Sequence, residues 1–217
     1  MKKGQKTLPY QDHYFHRAKK ENYLARAIYK LEEIQKKYNI LRQGDRVLDL
    51  GAAPGSWMQL TSRIIGSRGV LVGVDLKPIT HPFPGFVTVM ERDIFDPAFA
   101  EELAVAYAPL DVVLSDMAPA TSGFRVADSA RSELLVEQAL RLARLTLRPG
   151  GHFLVKIFQG SGFHEMILEV KKSFGWVKVV KPDASRKESK EIYILGMRFK
   201  GRTEAPEPGA EPEAPPE

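Results

Sequence analysis

The sequence predicts an α/β protein built on a seven-stranded, mostly parallel sheet flanked by helices, with the last strand antiparallel. Three observations predict it. Seven short runs rich in Val, Ile, Leu and Phe recur along the chain, helical patterns separate several of them, and 217 residues at 43% hydrophobic suffice for one well-buried domain. Strands that alternate with helices pair in parallel, are buried on both faces and gather sites at their carboxyl ends.

The elements follow in order. From Glu21 to Tyr38, apolar residues recur at Leu24, Ala27, Ile28, Leu31, Ile34 and Tyr38, which predicts one helix with a buried stripe and a polar face carrying Arg26, Lys30, Glu33 and Lys37. The strand candidates are residues 46–50, 69–75, 86–91, 111–116, 151–158, 176–180 and 191–199. Helical patterns fall at 57–65, 97–106, 129–147 and 163–174. Only a polar stretch separates the last two strands, so they are expected to pair antiparallel. No internal repeat is visible. The chain divides into a basic N-terminal extension with its helix (1–38), an α/β body (39–200) and a Pro/Glu-rich tail (201–217) whose composition predicts disorder.

The chain has no cysteine, which excludes disulfides, thiolate metal sites and a cysteine nucleophile. No apolar segment is long enough to span a bilayer and the N-terminus lacks the apolar stretch of a signal peptide, so a soluble, cytoplasmic protein is expected. The tail holds five glutamates against Arg202, a net of −4; with +5 for the whole chain, residues 1–200 carry +9. That balance favours a polyanionic partner such as nucleic acid, or is simply the charge of a soluble basic protein.

In VLDLGAAPGSW, residues 47–57, a strand runs into a glycine loop and a helix start. Backbone N–H groups in such a turn approach a cofactor closely. The loop is neither GxGxxG nor a P-loop. Asp49, Asp75, Asp93 and Asp116 each end or follow one of four successive strands. Any one of them alone reads as a cap or turn aspartate; the set, on one rim of a parallel sheet, reads as a site. Asp75 stands about where a Rossmann-like site places its ribose-binding carboxylate. The histidines are scattered, which argues against a histidine-ligated metal.

ARAIYKLEEI, VLDLGAAPGSW, GVDLKPI, SDMAPATSG, LRPGGHFLVKIFQG and VVKPDASRKESKEIYILG run in order through the body, and together they resemble the FtsJ-type ribosomal RNA ribose 2′-O-methyltransferases. The resemblance implies a Rossmann-like methyltransferase sheet with S-adenosylmethionine over its carboxyl rim. By motif position it implies cofactor contacts at Gly55, Trp57, Asp75, Asp93 and Asp116, and a catalytic tetrad of Lys30, Asp116, Lys156 and Glu191. Where the family often has a further glycine this chain has Ser56, small enough to leave cofactor binding in place, and the acidic tail is extra. The partner implied is large-subunit ribosomal RNA, in the assembled subunit; the fold and the solvated tail suggest a monomer, off the membrane and without a metal.

Each residue also has a plainer reading. Trp57 alone reads as a core or cap residue, Lys30 as a solvated lysine and Glu191 as a surface group. Lys156 is different, because HFLVKIF surrounds it with apolar residues. A ribose 2′-hydroxyl is a poor nucleophile, so methyl transfer needs in-line alignment and a route for the proton. Lys156 is the candidate base or alkoxide stabiliser, held by Asp116 and Glu191 with Lys30 near. In the N-terminal extension Arg17, Lys19, Lys20 and Arg26, interleaved with Tyr14, Phe15 and Tyr23, offer phosphate contacts and stacking surfaces, or form a solvated basic arm.

Other readings are weaker. Pyrimidine C5 methylation through a covalent adduct needs a cysteine. Base amino-group methylation resembles an Asp/Asn-Pro-Pro-aromatic motif, where this chain has DMAPAT. A nicotinamide oxidoreductase lacks its glycine fingerprint. A transfer RNA substrate, or a non-catalytic ribosome assembly factor that binds the cofactor, remain as alternatives.

Overall fold

The computed structural model describes residues 10–185 and 189–201, with side chains from residue 13 onward. The reading of residues 202–217 as a disordered tail lies outside the described residues.

Two N-terminal helices, α1 (Tyr10–Lys20) and α2 (Ile28–Tyr38), precede an alternating series: β1 (Arg46–Leu50), α3 (Ser56–Ile65), β2 (Val70–Asp75), β3 (Val87–Glu91), α4 (Pro97–Tyr107), β4 (Leu110–Ser115), α5 (Arg125–Thr146), β5 (Leu147–Phe158), α6 (Phe163–Ser173), β6 (Phe174–Val180) and β7 (Glu191–Phe199). One seven-stranded sheet has the order β3-β2-β1-β4-β5-β7-β6. The first five strands are parallel. β7, last in the chain, inserts between β5 and β6 and runs antiparallel to both.

The strands are apolar runs because both faces are covered. On one side α4, α5 and α6 bury Phe99, Leu103, Val136, Ala139 and Val170 against Leu48, Leu50, Val72 and Val113. On the other, α2 and α3 bury Leu31, Ile34, Met58 and Ile65 against Val47, Leu71, Leu114, Leu154 and Leu195. Side chains alternate between these faces at the strand period.

The expected helix over residues 21–38 is not continuous. Asn22 takes a left-handed conformation (φ 58°), α1 closes on the Tyr23 N–H to Ala18 carbonyl bond, and helix resumes only at Ile28. Leu24, placed in the buried stripe by periodicity, is instead exposed beside the Gly55 turn, where its backbone N–H donates to Gln59 Oε1 at 2.9 Å. α2 is built into the packed body: Leu31 and Ile34 are wholly buried with sheet residues, although the sequence groups them with a basic extension.

Several side chains expected to face a partner there are used internally. Tyr14 and Tyr23 pack on the buried Tyr29 ring at 5.3 and 5.9 Å, and Arg17 lies 4.4 Å over the same ring while pairing with Glu21 at 2.8 Å. Phe15, Lys19 and Lys20 remain exposed.

Candidate active site

The register of the sheet brings the candidate residues together. Leu50 pairs with both Val74 and Ser115, and Ser115 with Val155. One step further along these strands stand Asp75, Gly51, Asp116 and Lys156, and Lys156 pairs with Tyr193 on β7. Side chains in such a row share one face. Glu191, two residues before Tyr193, adds to that face.

The glycine loop wraps the carboxyl end of β1. Gly51 (φ 74°) turns the chain so tightly that a Cβ there would lie 2.9 Å from Met117 Cα, and Gly55 (φ 109°) starts α3 against Phe83 and Leu24. Both conformations favour glycine. Asp75 braces the loop: its Oδ2 accepts the Ala53 N–H and its Oδ1 the Lys77 N–H, each at 2.9 Å. Each oxygen keeps a lone pair for a ligand.

Beyond the loop opens a cavity of about 590 Å³ whose lining includes Gly51, Asp75, Asp93, Phe95, Asp116 and Leu135. Three of the four rim acids therefore meet at one opening. Gly55 and Trp57 do not line it. The Trp57 indole is 2% exposed, donates to the Ala27 carbonyl at 2.9 Å and packs 5.9 Å from the Tyr193 ring, so its side chain ties α2 to β7.

Asp49, the fourth acid, is fully buried, and its carboxylate oxygens have no hydrogen-bond partner among the described residues. Burial, reinforced by the charges of Asp116 and Asp75, pushes its carboxyl well above the usual range and so favours its neutral form beneath the loop.

Lys30, Asp116, Lys156 and Glu191 form two ion pairs. Lys30 Nζ is 2.9 Å from Glu191 Oε2, and Lys156 Nζ is 3.0 Å from Asp116 Oδ1 while also donating to the Asp116 carbonyl. Both lysines are 6% exposed. Lys30 is thus no solvated lysine, and Glu191 is half-buried against it. Tyr193, fully buried, joins the pairs: its hydroxyl donates to Asp116 Oδ1 at 2.7 Å, and Lys30 Nζ lies 6.0 Å from its ring centroid.

The acids here titrate apart from Asp49. Burial would raise Asp116, but the charges of Lys156 and Lys30 and the bonds from Tyr193 and Lys156 outweigh it and hold the carboxyl below its ordinary value. Glu191 follows the same pattern, burial being overcome by Lys30 and then Lys156. The Tyr193 hydroxyl is pushed well above its usual value by burial and by Asp116. Two carboxylates balance two lysines around a neutral phenol.

Sequence reasoning missed Tyr193. The signal was its place two residues after Glu191 in EIYILG, which puts both on one strand face. Among the described residues no group of three or more His, Cys, Asp or Glu is placed to hold a metal ion.

The model of the FtsJ-like methyltransferase family matches residues 23–199. The chain is 64% identical over 190 residues to the ribosomal RNA large subunit methyltransferase E of Syntrophobacter fumaroxidans, covering 88% of this chain and 96% of the relative. It is 48% identical over 201 residues to the protein of the same name from Desulfosudis oleivorans, covering 93% and 95%. Among solved structures, a putative ribosomal RNA methyltransferase from Plasmodium falciparum superposes with a TM-score of 0.72 at 28% identity, over 83% of this chain and 100% of that one. Aeropyrum pernix fibrillarin, in complex with natively bound S-adenosyl-L-methionine, superposes with a TM-score of 0.51 at 20% identity, over 73% and 68%, a likeness of fold alone.

Proposed function

The chain belongs to the FtsJ-like methyltransferase family, and from that premise we propose that it methylates the ribose 2′-hydroxyl of a uridine in large-subunit ribosomal RNA, with S-adenosylmethionine as donor. The observation that carries this reading is the doubly paired cluster of Lys30, Glu191, Lys156 and Asp116, whose Asp116 also lines the acid-rimmed cavity.

The residues present fit the cofactor. The cavity has the size of a small-molecule site. Asp75 and Asp93 keep acceptor capacity for ribose hydroxyls and an amino group, and Phe95 and Leu135 supply apolar walls for a base. A side chain at position 51 would close the turn beside them. Gly55 and Trp57 contribute through the loop backbone and its support. When bound, S-adenosylmethionine supplies an electrophilic methyl group.

Everything else falls to this chain. Lys156 Nζ meets the 2′-hydroxyl oxygen and steadies the negative charge that builds there while the hydroxyl proton passes to solvent water. Asp116 fixes that amine, and Tyr193 fixes Asp116. Lys30, held by Glu191, adds a second positive charge to the same face. The cluster is neutral overall, so the alkoxide forms beside two cations whose own counter-charges are already in place. Exposed Lys19, Lys20 and Phe15 contact the RNA outside the cleft, and the protein acts as a monomer in the cytoplasm, where ribosomes are assembled. No helix among the described residues is long and apolar enough to cross a membrane.

The test is incubation with labelled S-adenosylmethionine and, separately, large subunits, naked ribosomal RNA and transfer RNA, followed by digestion to nucleosides. 2′-O-methyluridine from ribosomal RNA is expected, with a loss of about 10²–10³-fold in Lys156→Ala at unchanged cofactor affinity. Lys156→Arg separates the two roles of the amine: retained turnover assigns electrostatic stabilisation, since a guanidinium accepts no proton. Label in transfer RNA would move the substrate, and cofactor binding without transfer would favour a non-catalytic assembly factor.

A further inference from the structure

We propose that Phe124, in the segment joining β4 to α5, is a stacking platform for an unpaired base of the RNA strand that carries the methylated nucleotide. The inference rests on the methyl-transfer reading and deepens it.

Phe124 breaks two local rules. Its side chain is 76% exposed, and it occupies the N-cap of α5 with extended backbone and no capping hydrogen bond. That position favours Ser, Thr, Asp or Asn, and solvent disfavours a phenyl ring. A residue that violates local preference without a packing gain marks a functional position.

The chain nevertheless holds it firmly. Asp128 reaches back from the first turn of α5 to accept the Ser122 N–H and hydroxyl, both at 2.8 Å, and the Gly123 N–H at 3.2 Å. Arg131 donates to the Ala120 carbonyl and stands 3.7 Å from Asp128. The tip is thereby fastened to a 22-residue helix, and Phe124 is presented on a fixed base.

Its position relates it to the chemistry. The same segment leaves Asp116 and lines the cavity from Met117 to Ala120 before reaching the tip. Arg125, exposed, follows immediately, and Arg131 lies about two turns along the helix from Phe124. An exposed ring with Arg125 next to it in sequence, on a body carrying +9, matches an unstacked base and its phosphate. A protein partner would call for a broader continuous apolar patch; here Val126 is the one apolar neighbour in sequence that is comparably exposed, at 81%.

The experiment compares wild type, Phe124→Ala and Phe124→Trp on large ribosomal subunits and naked ribosomal RNA, and maps ultraviolet crosslinks of the wild type by mass spectrometry. Phe124→Ala should raise the RNA KM about tenfold, in line with loss of one base–aromatic stack, with kcat and S-adenosylmethionine affinity unchanged. Phe124→Trp should stay near wild type, and residue 124 should crosslink to a base close to the methylated nucleotide. An unchanged KM in Phe124→Ala, failure of tryptophan to substitute, or a crosslink to a ribosomal protein would each overturn the contact. Methylation without that contact leaves the reaction standing, whereas a base crosslinked at 124 by a protein that transfers no methyl overturns the reaction and keeps the contact.

Discussion

Tyr193 and Lys156 share a single oxygen: Asp116 Oδ1 accepts the phenol hydroxyl at 2.7 Å and faces the lysine ammonium at 3.0 Å. The phenol supports the carboxylate that supports the amine. Tyr193→Phe keeps the ring against Trp57 and removes only the donor. Stability should fall by about 1–2 kcal/mol, and kcat by several-fold with S-adenosylmethionine affinity unchanged, read by urea unfolding and single-turnover kinetics.

The second pair is separable from the first by a double-mutant cycle. Lys30→Ala leaves a half-buried Glu191 without its cation, and Glu191→Ala leaves a buried lysine without its anion. Each single change should cost about 2–3 kcal/mol of stability, and the double change less than their sum, with a coupling of about 1 kcal/mol or more. Additive costs would show that the pair contributes no mutual stabilisation.

The acids predict opposite pH dependences. Asp116 and Glu191 have depressed values, so they add stability that is full above their unfolded values near 4 and lost as pH falls through the folded ones. Asp49 has a raised value, so its contribution is full below the unfolded value and lost as pH rises toward the folded one. Asp49→Asn should therefore gain stability over wild type as pH climbs above about 4, measured by unfolding at fixed ionic strength. A difference that stays flat would show that Asp49 titrates in the folded protein as it does in the unfolded chain.

Gly51→Ala tests the cradle. The new methyl must sit at φ 74° and within 3 Å of Met117 backbone atoms. A cost of about 2–4 kcal/mol is expected, with cofactor affinity, followed by calorimetry, reduced at least tenfold as the turn opens.

Exposed Lys19 and Lys20 bear on RNA affinity. If both contact phosphates, replacing them with alanine lowers the slope of log affinity against log salt by about 1.4 for a single strand. An unchanged slope would remove α1 from the RNA interface.

Much of this was legible in the sequence because strands covered on both faces are written as plain apolar runs; VLDLG, VLVGVD and IYILG needed no partner to be read. The break before α2 was not, since Leu24 and Ala27 continue the helical period while a single left-handed Asn22 interrupts the chain. The rim acids were visible from their places after strands. The pairing of Lys30 with Glu191, 161 residues apart, was available only through resemblance, because periodicity says which face a lysine occupies and nothing about what lies opposite. The Trp57 indole illustrates the converse: its plain reading as a core residue describes its side chain, whatever its backbone does.

β7 enters the sheet between two strands that precede it in the chain, and it brings Tyr193 and Glu191 with it. During synthesis, then, a nascent chain with its glycine loop, Asp116 and Lys156 already outside the exit tunnel still lacks the anion for Lys30 and the phenol for Asp116. Closing the sheet and arming the chemistry are one event. A copy that lacks β7 should therefore transfer no methyl group, and methyl transfer recovered during refolding becomes a clock for the last β-strand to dock.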